Sequence, residues 1–305
     1  MPTDGPGGFA ERLVSRVAAR ESQVVLGLDP DPARLWPSAL ASAGETGSPV
    51  ERAAAAVIAH CGAVIDAAGP ACVAVKPQLA CFERLGAAGW AALAATVEHA
   101  HAAGLLVLAD GKRGDIDVSA AAYAQALVGS TETPFGTVDG LGADAFTANP
   151  YMGRDTLEVL SRGARAAGAG VFVLVRTSNP GAADVEDLGV AGGGTVWERV
   201  AELVAGLGDG DGPISHIGAV VGATAPEHIG RLRELMPRTP FLLPGVGAQG
   251  GRVEDLAPAF APGPAGGLVT ASRSIVSAHE QAGGDPGEAA RAEAERLRQA
   301  AWVLA

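Results

Sequence analysis

Eight short apolar runs, each followed by a longer alanine-rich stretch, constrain this chain more than any other feature. They lie at 24–28 (VVLGL), 72–76 (CVAVK), 105–109 (LLVLA), 143–147 (ADAFT), 171–175 (VFVLV), 217–221 (IGAVV), 240–243 (PFLL) and 267–270 (GLVT). Uninterrupted apolar runs of this length read as strands buried on both faces, as a parallel sheet requires. The segments 50–68, 84–102, 117–128, 153–166, 193–207, 224–236, 251–258 and 286–302 read as helices between them. Eight strand–helix repeats predict an α/β chain closed into a (β/α)8 TIM barrel. A length of 305 residues suits one such domain spanning 1–305. A doubly wound open sheet is the alternative, but no GxGxxG follows the first run, which weakens its dinucleotide-binding form. Segment 8–20 is expected to form an extra N-terminal helix that closes the barrel bottom. Segments 129–142, 179–194, 206–213 and 259–266 are rich in Gly, Pro and Asp and read as loops. The first two and the last suit insertions or lids.

The bulk charge narrows the partners. A net charge of −12 argues against nucleic acid or an anionic membrane. An anionic small substrate would need local cations. The three cysteines, Cys61, Cys72 and Cys81, lack metal-type spacing and lie in apolar segments, as expected of thiols in a reducing cytoplasm. The opening MPTDGPGGFAERL has no apolar signal core, and no eighteen-residue run is uninterruptedly apolar. Neither export nor a membrane span is therefore expected.

Two lysines stand against twenty arginines, and both end apolar runs: Lys76 in ACVAVKPQ and Lys112 in VLADGKRGDIDVS. An ammonium can give up its proton when its surroundings tune it, whereas a guanidinium effectively cannot. Lys112 lies between Asp110 and Asp115, and charge clusters of this kind are over-represented at active sites. Strand alternation puts Asp110 and Lys112 on one side, toward the barrel mouth, where active sites of this fold form. Lys76, one strand earlier, can reach Asp110. Gly111 and Gly114 permit the sharp turn that leads to Asp115. A purely structural ion network would be a weak source of stability, so four charges at a strand-end rim are better understood as functional.

Other strand ends add polar groups. Asp29 follows the first strand, and Thr177 and Ser178 follow the fifth. PGVGAQGG at 244–251 follows the seventh and ASRSI at 271–275 the eighth. Phosphate sites in these barrels often form from the loops after strands seven and eight. Arg273 would add an always-charged, bidentate contact there.

DGKRGDI at 110–116, with Lys76 one strand earlier, resembles the DxKxxD signature of the orotidine 5′-phosphate decarboxylase family. PGVGAQGG, SNPGA at 178–182 and the Asp of GLDPDP match in the same order. NPYMG at 149–153 and the long 179–194 loop resemble the longer bacterial branch. The resemblance implies conversion of orotidine 5′-phosphate to UMP and CO2 with no cofactor and no metal, in a homodimer with shared active sites. It implies that Lys112 is the general acid toward C6 of the pyrimidine, that Asp110 lies against the substrate carboxylate, and that Lys76 bridges Asp110 and a ribose hydroxyl. Asp115 is implied to complete the array from the other subunit, with Ile116 lining the base pocket and Ser119 offering a hydroxyl to the ribose. Asp29 is implied to bind the ribose and Ser178 the pyrimidine edge. Gln249 and Arg273 are implied to grip the phosphate, with Pro244 beside the base.

Rival readings follow from the same residues. Sister sugar-phosphate decarboxylases and aldolases share DxKxxD but use Mg2+, and are expected to carry a carboxylate where this chain has Lys76, because a metal needs oxygen ligands. A Schiff-base aldolase would need a free amine at Lys112, which two flanking aspartates disfavour. A catalytically silent nucleotide-phosphate sensor would have no use for an intact Asp–Lys–Asp array. The six histidines form no ligand cluster and read as surface or capping residues.

Overall fold

The computed structural model describes residues 7–208 and 212–305. Its eight core strands are β1 (Val24–Leu28), β2 (Ala74–Pro77), β3 (Leu106–Arg113), β4 (Ala145–Ala148), β5 (Gly170–Arg176), β6 (Ile217–Val221), β7 (Phe241–Pro244) and β8 (Gly267–Ala271). Each pairs in parallel with its neighbours in sequence order, and β1 pairs with β8, so the sheet closes into a barrel. The open-sheet alternative is thereby excluded, and the eight apolar runs each fall on one barrel strand.

Alternation along the strands sorts side chains into two cores. Outward positions such as Val24, Val75, Val107, Phe146, Val173, Ala219, Leu243 and Val269 pack beneath the surrounding helices. Inward positions such as Val25, Ala74, Leu108, Ala145, Phe172, Val220, Leu242 and Leu268 fill the barrel. The N-terminal helix, Phe9–Arg20, plugs the bottom of this inner core with Phe9, Leu13 and Val17. Phe9 meets Phe172 edge-on at 5.9 Å between ring centroids. Gly170 makes room for that plug, since a Cβ there would come within 2.4 Å of the Phe9 ring.

The outer helices follow local signals. Pro49–Ala68 opens with a reciprocal capping box between Ser48 and Glu51 and has Pro49 in its first turn, where a missing N–H costs nothing. The stretch Pro49–Ala71 is long and apolar enough to cross a membrane. It instead buries Val57, Cys61, Val64 and Ile65 against the barrel. Pro286–Trp302, capped by Asp285, covers the outside through Ala290, Ala294, Leu297 and Ala301.

Several sequence expectations need correction. The stretch 251–258 is a 3-10 helix, Val253–Phe260, with Pro258 inside it. The segment 224–236 shortens to the helix Ile229–Leu235 after a 3-10 turn. Four short helices, Pro37–Ser42, Leu79–Glu83, Arg273–Val276 and His279–Ala282, lie outside the expected helical segments. The loop 129–142 contains an antiparallel hairpin of Ser130–Thr133 with Gly136–Asp139. Segment 259–266 is no lid: it precedes β8, so it lies at the barrel bottom, where Ala265 joins the inner core. Residues 209–211 of the 206–213 loop lie outside the described residues, as do residues 1–6 of the amino-terminal stretch.

Candidate active site

At the C-terminal ends of the strands the inward rows change character. Above the apolar layer, the next inward positions are Lys76 on β2, Asp110 on β3, Thr147 on β4, Leu174 on β5, Pro244 on β7 and Thr270 on β8, and all six line a cavity of about 590 Å³. The apolar floor and polar rim are therefore successive layers of one barrel. The inward position on β1 is Gly27, where a Cβ would stand 2.7 Å from that of Ser272.

Asp110 is the hub. It is 4% exposed. Lys76 Nζ donates to its Oδ2 at 2.5 Å, and Lys112 Nζ to its Oδ1 at 2.7 Å. Thr147 Oγ1 also donates to Oδ1 at 2.8 Å, and Gln78 Nε2 to Oδ2 at 3.3 Å. Burial alone would push the Asp110 carboxyl up, but the charges of Lys76 and Lys112 outweigh it and hold the group well below the usual carboxylate range. Burial likewise opposes the charge on Lys76. Asp110 and then Asp29 outweigh that, and the ammonium is held above its usual range.

Lys112 reaches this position through a distorted strand end. The β3–β4 register shifts between Ala109 and Arg113, and Lys112 adopts φ of 47°, a left-handed conformation that few non-glycine residues occupy. Its backbone N–H donates to Thr147 Oγ1 at 2.8 Å, which fixes the bulge. Simple alternation placed Asp110 and Lys112 on one side correctly, but a bulge rather than a regular strand aims the lysine. The strain lies at a residue that lines the cavity, and such outliers tend to concentrate at functional sites.

Of the residues singled out in the sequence, Asp29, Lys76, Asp110, Lys112, Ser178, Pro244, Gln249 and Arg273 line the one cavity. Ser178 Oγ donates to Gln249 Oε1 at 3.0 Å. The turn between Pro244 and Gly251 uses Gly245, Gly247 and Gly250 at positive φ, and at Gly247 an added Cβ would stand 2.9 Å from that of Ser274 on the neighbouring loop. Asp115, Ile116 and Ser119 do not line this cavity. Asp115 Oδ1 accepts from the Ile116 N–H, and Ile116 is 54% exposed. Thr147, Gln78, Asn179 and Thr270 line or brace the site without having been singled out. Thr147 ends the apolar run 143–147, and its inward parity was the available signal. His60, read as a surface or capping residue, is buried. Its Nδ1 accepts from the Trp36 N–H at 3.2 Å, and burial pushes its pKa down to about 4.

The profile of the orotidine 5′-phosphate decarboxylase / HUMPS family matches residues 22–292. The chain belongs to this family. It is 43% identical to the orotidine 5′-phosphate decarboxylase of Rhodopirellula baltica over 282 residues, covering 90% of this chain and 89% of that protein. It is 40% identical to that of Deinococcus radiodurans over 299 residues, covering 97% and 98%. A solved Streptomyces avermitilis candidate orotidine 5′-phosphate decarboxylase, 33% identical, superposes with a TM-score of 0.77, covering 99% of this chain and 97% of that one. Among the described residues no cluster of His, Cys, Asp and Glu could hold a metal ion.

The central ion pairs carry a pH signature. Asp110 has a depressed folded pKa, so its stabilising contribution is present above the unfolded value of about 3.9 and is lost as pH falls toward the folded one. Lys76 has a raised folded pKa, so its contribution is fully present below about 10.4 and is lost as pH rises beyond it. Asp110→Asn should cost about 3 kcal/mol or more at pH 7, because it leaves a buried ammonium without its counter-charge. Urea unfolding at pH 7, 4 and 3 checks this: the gap from wild type should narrow below pH 4. A gap that is constant with pH would contradict the assigned ionisation.

Proposed function

We infer that this protein decarboxylates orotidine 5′-phosphate to UMP and CO2, the step that completes UMP synthesis, using its own side chains and no cofactor. The observation that carries this is the Lys76–Asp110–Lys112 array, two ammoniums on one buried carboxylate at the barrel mouth. Cleavage of the bond from C6 to the carboxylate leaves an electron pair on a ring carbon that has no conventional electron sink. A fixed cation nearby in a water-poor pocket is what such a carbanion requires. Lys112 supplies that cation, donates its proton to C6 as CO2 departs, and is reprotonated from solvent. Asp110, next to the substrate carboxylate, favours its departure and holds both lysines in position.

The family also includes sugar-phosphate enzymes, and Lys76 argues against that chemistry here. A divalent cation beside Asp110 would meet the Lys76 ammonium, which lies 2.5 Å from Asp110 Oδ2, instead of the second carboxylate a metal site needs. At the phosphate end, Gln249 and Arg273 take the substrate anion, and Pro244 lies beside the base. Asp29 and Lys76 hold the ribose, and Ser178 reads the pyrimidine edge. The loops 179–185 and 245–251 close over the bound nucleotide, and binding energy from the remote phosphate drives that closure.

The working unit is a homodimer in the cytoplasm. Asp115, Ile116 and Ser119 act in the partner's site, Asp115 completing the array there. Support comes from their position outside their own cavity and from the exposed apolar side chains around them, including Val118 at 82% and Tyr151 at 88% exposure.

The reading requires one UMP and one CO2 for each orotidine 5′-phosphate consumed, and CO2 without UMP would contradict it. Arg273→Ala should weaken UMP binding by about 2–3 kcal/mol, the scale of a charged hydrogen-bonded contact. Calorimetric titration with UMP and uridine checks the assignment, since uridine should bind both proteins alike. Unchanged UMP affinity would remove Arg273 from the phosphate site.

A further inference from the structure

The strand end that carries Ser178 is held by a charged clamp formed with the following loop. The β5–β6 register shifts between Leu174 and Arg176, a bulge that turns Arg176 away from the cavity. Arg176 is 8% exposed and grips Asp187 with two parallel bonds, Nε to Oδ1 at 3.0 Å and Nη2 to Oδ2 at 3.1 Å. Its Nη1 lies 3.5 Å from Glu186 Oε2 and donates to the Thr177 carbonyl at 2.9 Å. Glu186 then takes both donors of the next residue. The Thr177 N–H reaches Oε2 and the Thr177 hydroxyl reaches Oε1, each at 2.8 Å. From the other side the same backbone rests on Gly222, where an added Cβ would stand 2.8 Å from Ser178 N and Cα. Thr224 Oγ1 donates to the Ser178 carbonyl at 3.0 Å. Ser178 is therefore fixed by its backbone, while its hydroxyl donates to the Gln249 side chain.

We propose that Glu186, oriented by Arg176, is a specificity-determining positioning residue that sets Ser178 against the pyrimidine edge. This rests on Ser178 being the base-edge contact. Glu186 borders the cavity, but both its carboxylate oxygens are engaged by Thr177, so it acts on the base through Ser178. It converts the end of a bulged strand into a rigid reader of the base, and leaves 179–185 as the part of the loop free to close. A site that reads a hydrogen-bonding edge discriminates only as well as its donors and acceptors are held in place.

Calorimetric binding of UMP and of ribose 5-phosphate separates this role from a merely structural one. Ribose 5-phosphate keeps the phosphate and ribose contacts and lacks the base. Glu186→Ala should lower UMP affinity about tenfold or more while changing ribose 5-phosphate affinity less than about twofold. Glu186→Gln, whose amide oxygen can still accept from Thr177, should recover part of the loss. Arg176 keeps its pair with Asp187 in both variants, so no buried guanidinium is stranded. Equal losses for the two ligands, or no loss for UMP, would overturn the proposal. If Glu186→Ala fails to fold, Thr177→Val removes the hydroxyl arm without touching charge, and the same preference for UMP must fall. Ser178→Ala serves as the reference. If it leaves the UMP preference intact, the base-edge reading itself fails. If it erodes the preference while Glu186→Ala does not, only the role of Glu186 fails.

Discussion

Lys112→Ala should reduce turnover of orotidine 5′-phosphate by about three orders of magnitude or more, with the fold and UMP binding preserved. In the proposed reaction, loss of the proton donor and of the cation assigned to C6 act together, and each effect alone reaches about a hundredfold or more in other enzymes. The fold should survive because the Lys112 side chain is 44% exposed, and Asp110 keeps Lys76, Gln78 and Thr147. Lys112→Arg should not restore activity, since a guanidinium does not release its proton near neutrality. Stopped-time assays of product, paired with thermal unfolding and UMP titration, measure all three quantities. Substantial turnover in Lys112→Ala would remove the central residue from the mechanism.

Mixing inactive Lys112→Ala with inactive Asp115→Ala should restore activity if sites are built across a dimer. Random re-association makes half the dimers mixed, and each mixed dimer has one site free of both substitutions, so about a quarter of wild-type activity should return. The geometry motivates the expectation, because the Asp115 carboxylate bonds the Ile116 N–H and does not line its own cavity. Activity of the mixture is read after subunit exchange has been demonstrated with differently tagged chains. No recovery despite exchange would mean that Asp115 acts within its own subunit or not at all.

Much of this arrangement is legible in the chain itself. Fully buried parallel strands need uninterrupted apolar runs, so all eight barrel strands stand out, and the rim residues follow because they end those runs. The scarcity of lysine makes Lys76 and Lys112 conspicuous. What escapes the sequence is whatever depends on departures from periodicity. The β3 bulge spans Gly111, but a glycine does not say which neighbour turns left-handed, and the β5 bulge between Leu174 and Arg176 has no Gly or Pro to mark it, so neither the left-handed Lys112 nor the outward turn of Arg176 could be read. The hairpin at 130–139 is exposed on nearly every residue and has no apolar face to reveal it. Segment 259–266 suggests a lid in the sequence because Gly and Pro mark a loop but not which end of the barrel it occupies. Thr147 was within reach, two residues along β4 from the inward Ala145.

The central claim is that these side chains decarboxylate orotidine 5′-phosphate without a metal. Its most direct test is the ultraviolet loss of orotidine 5′-phosphate on addition of the purified protein, recorded with and without excess EDTA. The account predicts rapid turnover at the same rate in both. Turnover abolished by chelator, or absent until Mg2+ is supplied, would contradict the metal-free mechanism, and no turnover under either condition would point to the sugar-phosphate branch of the family.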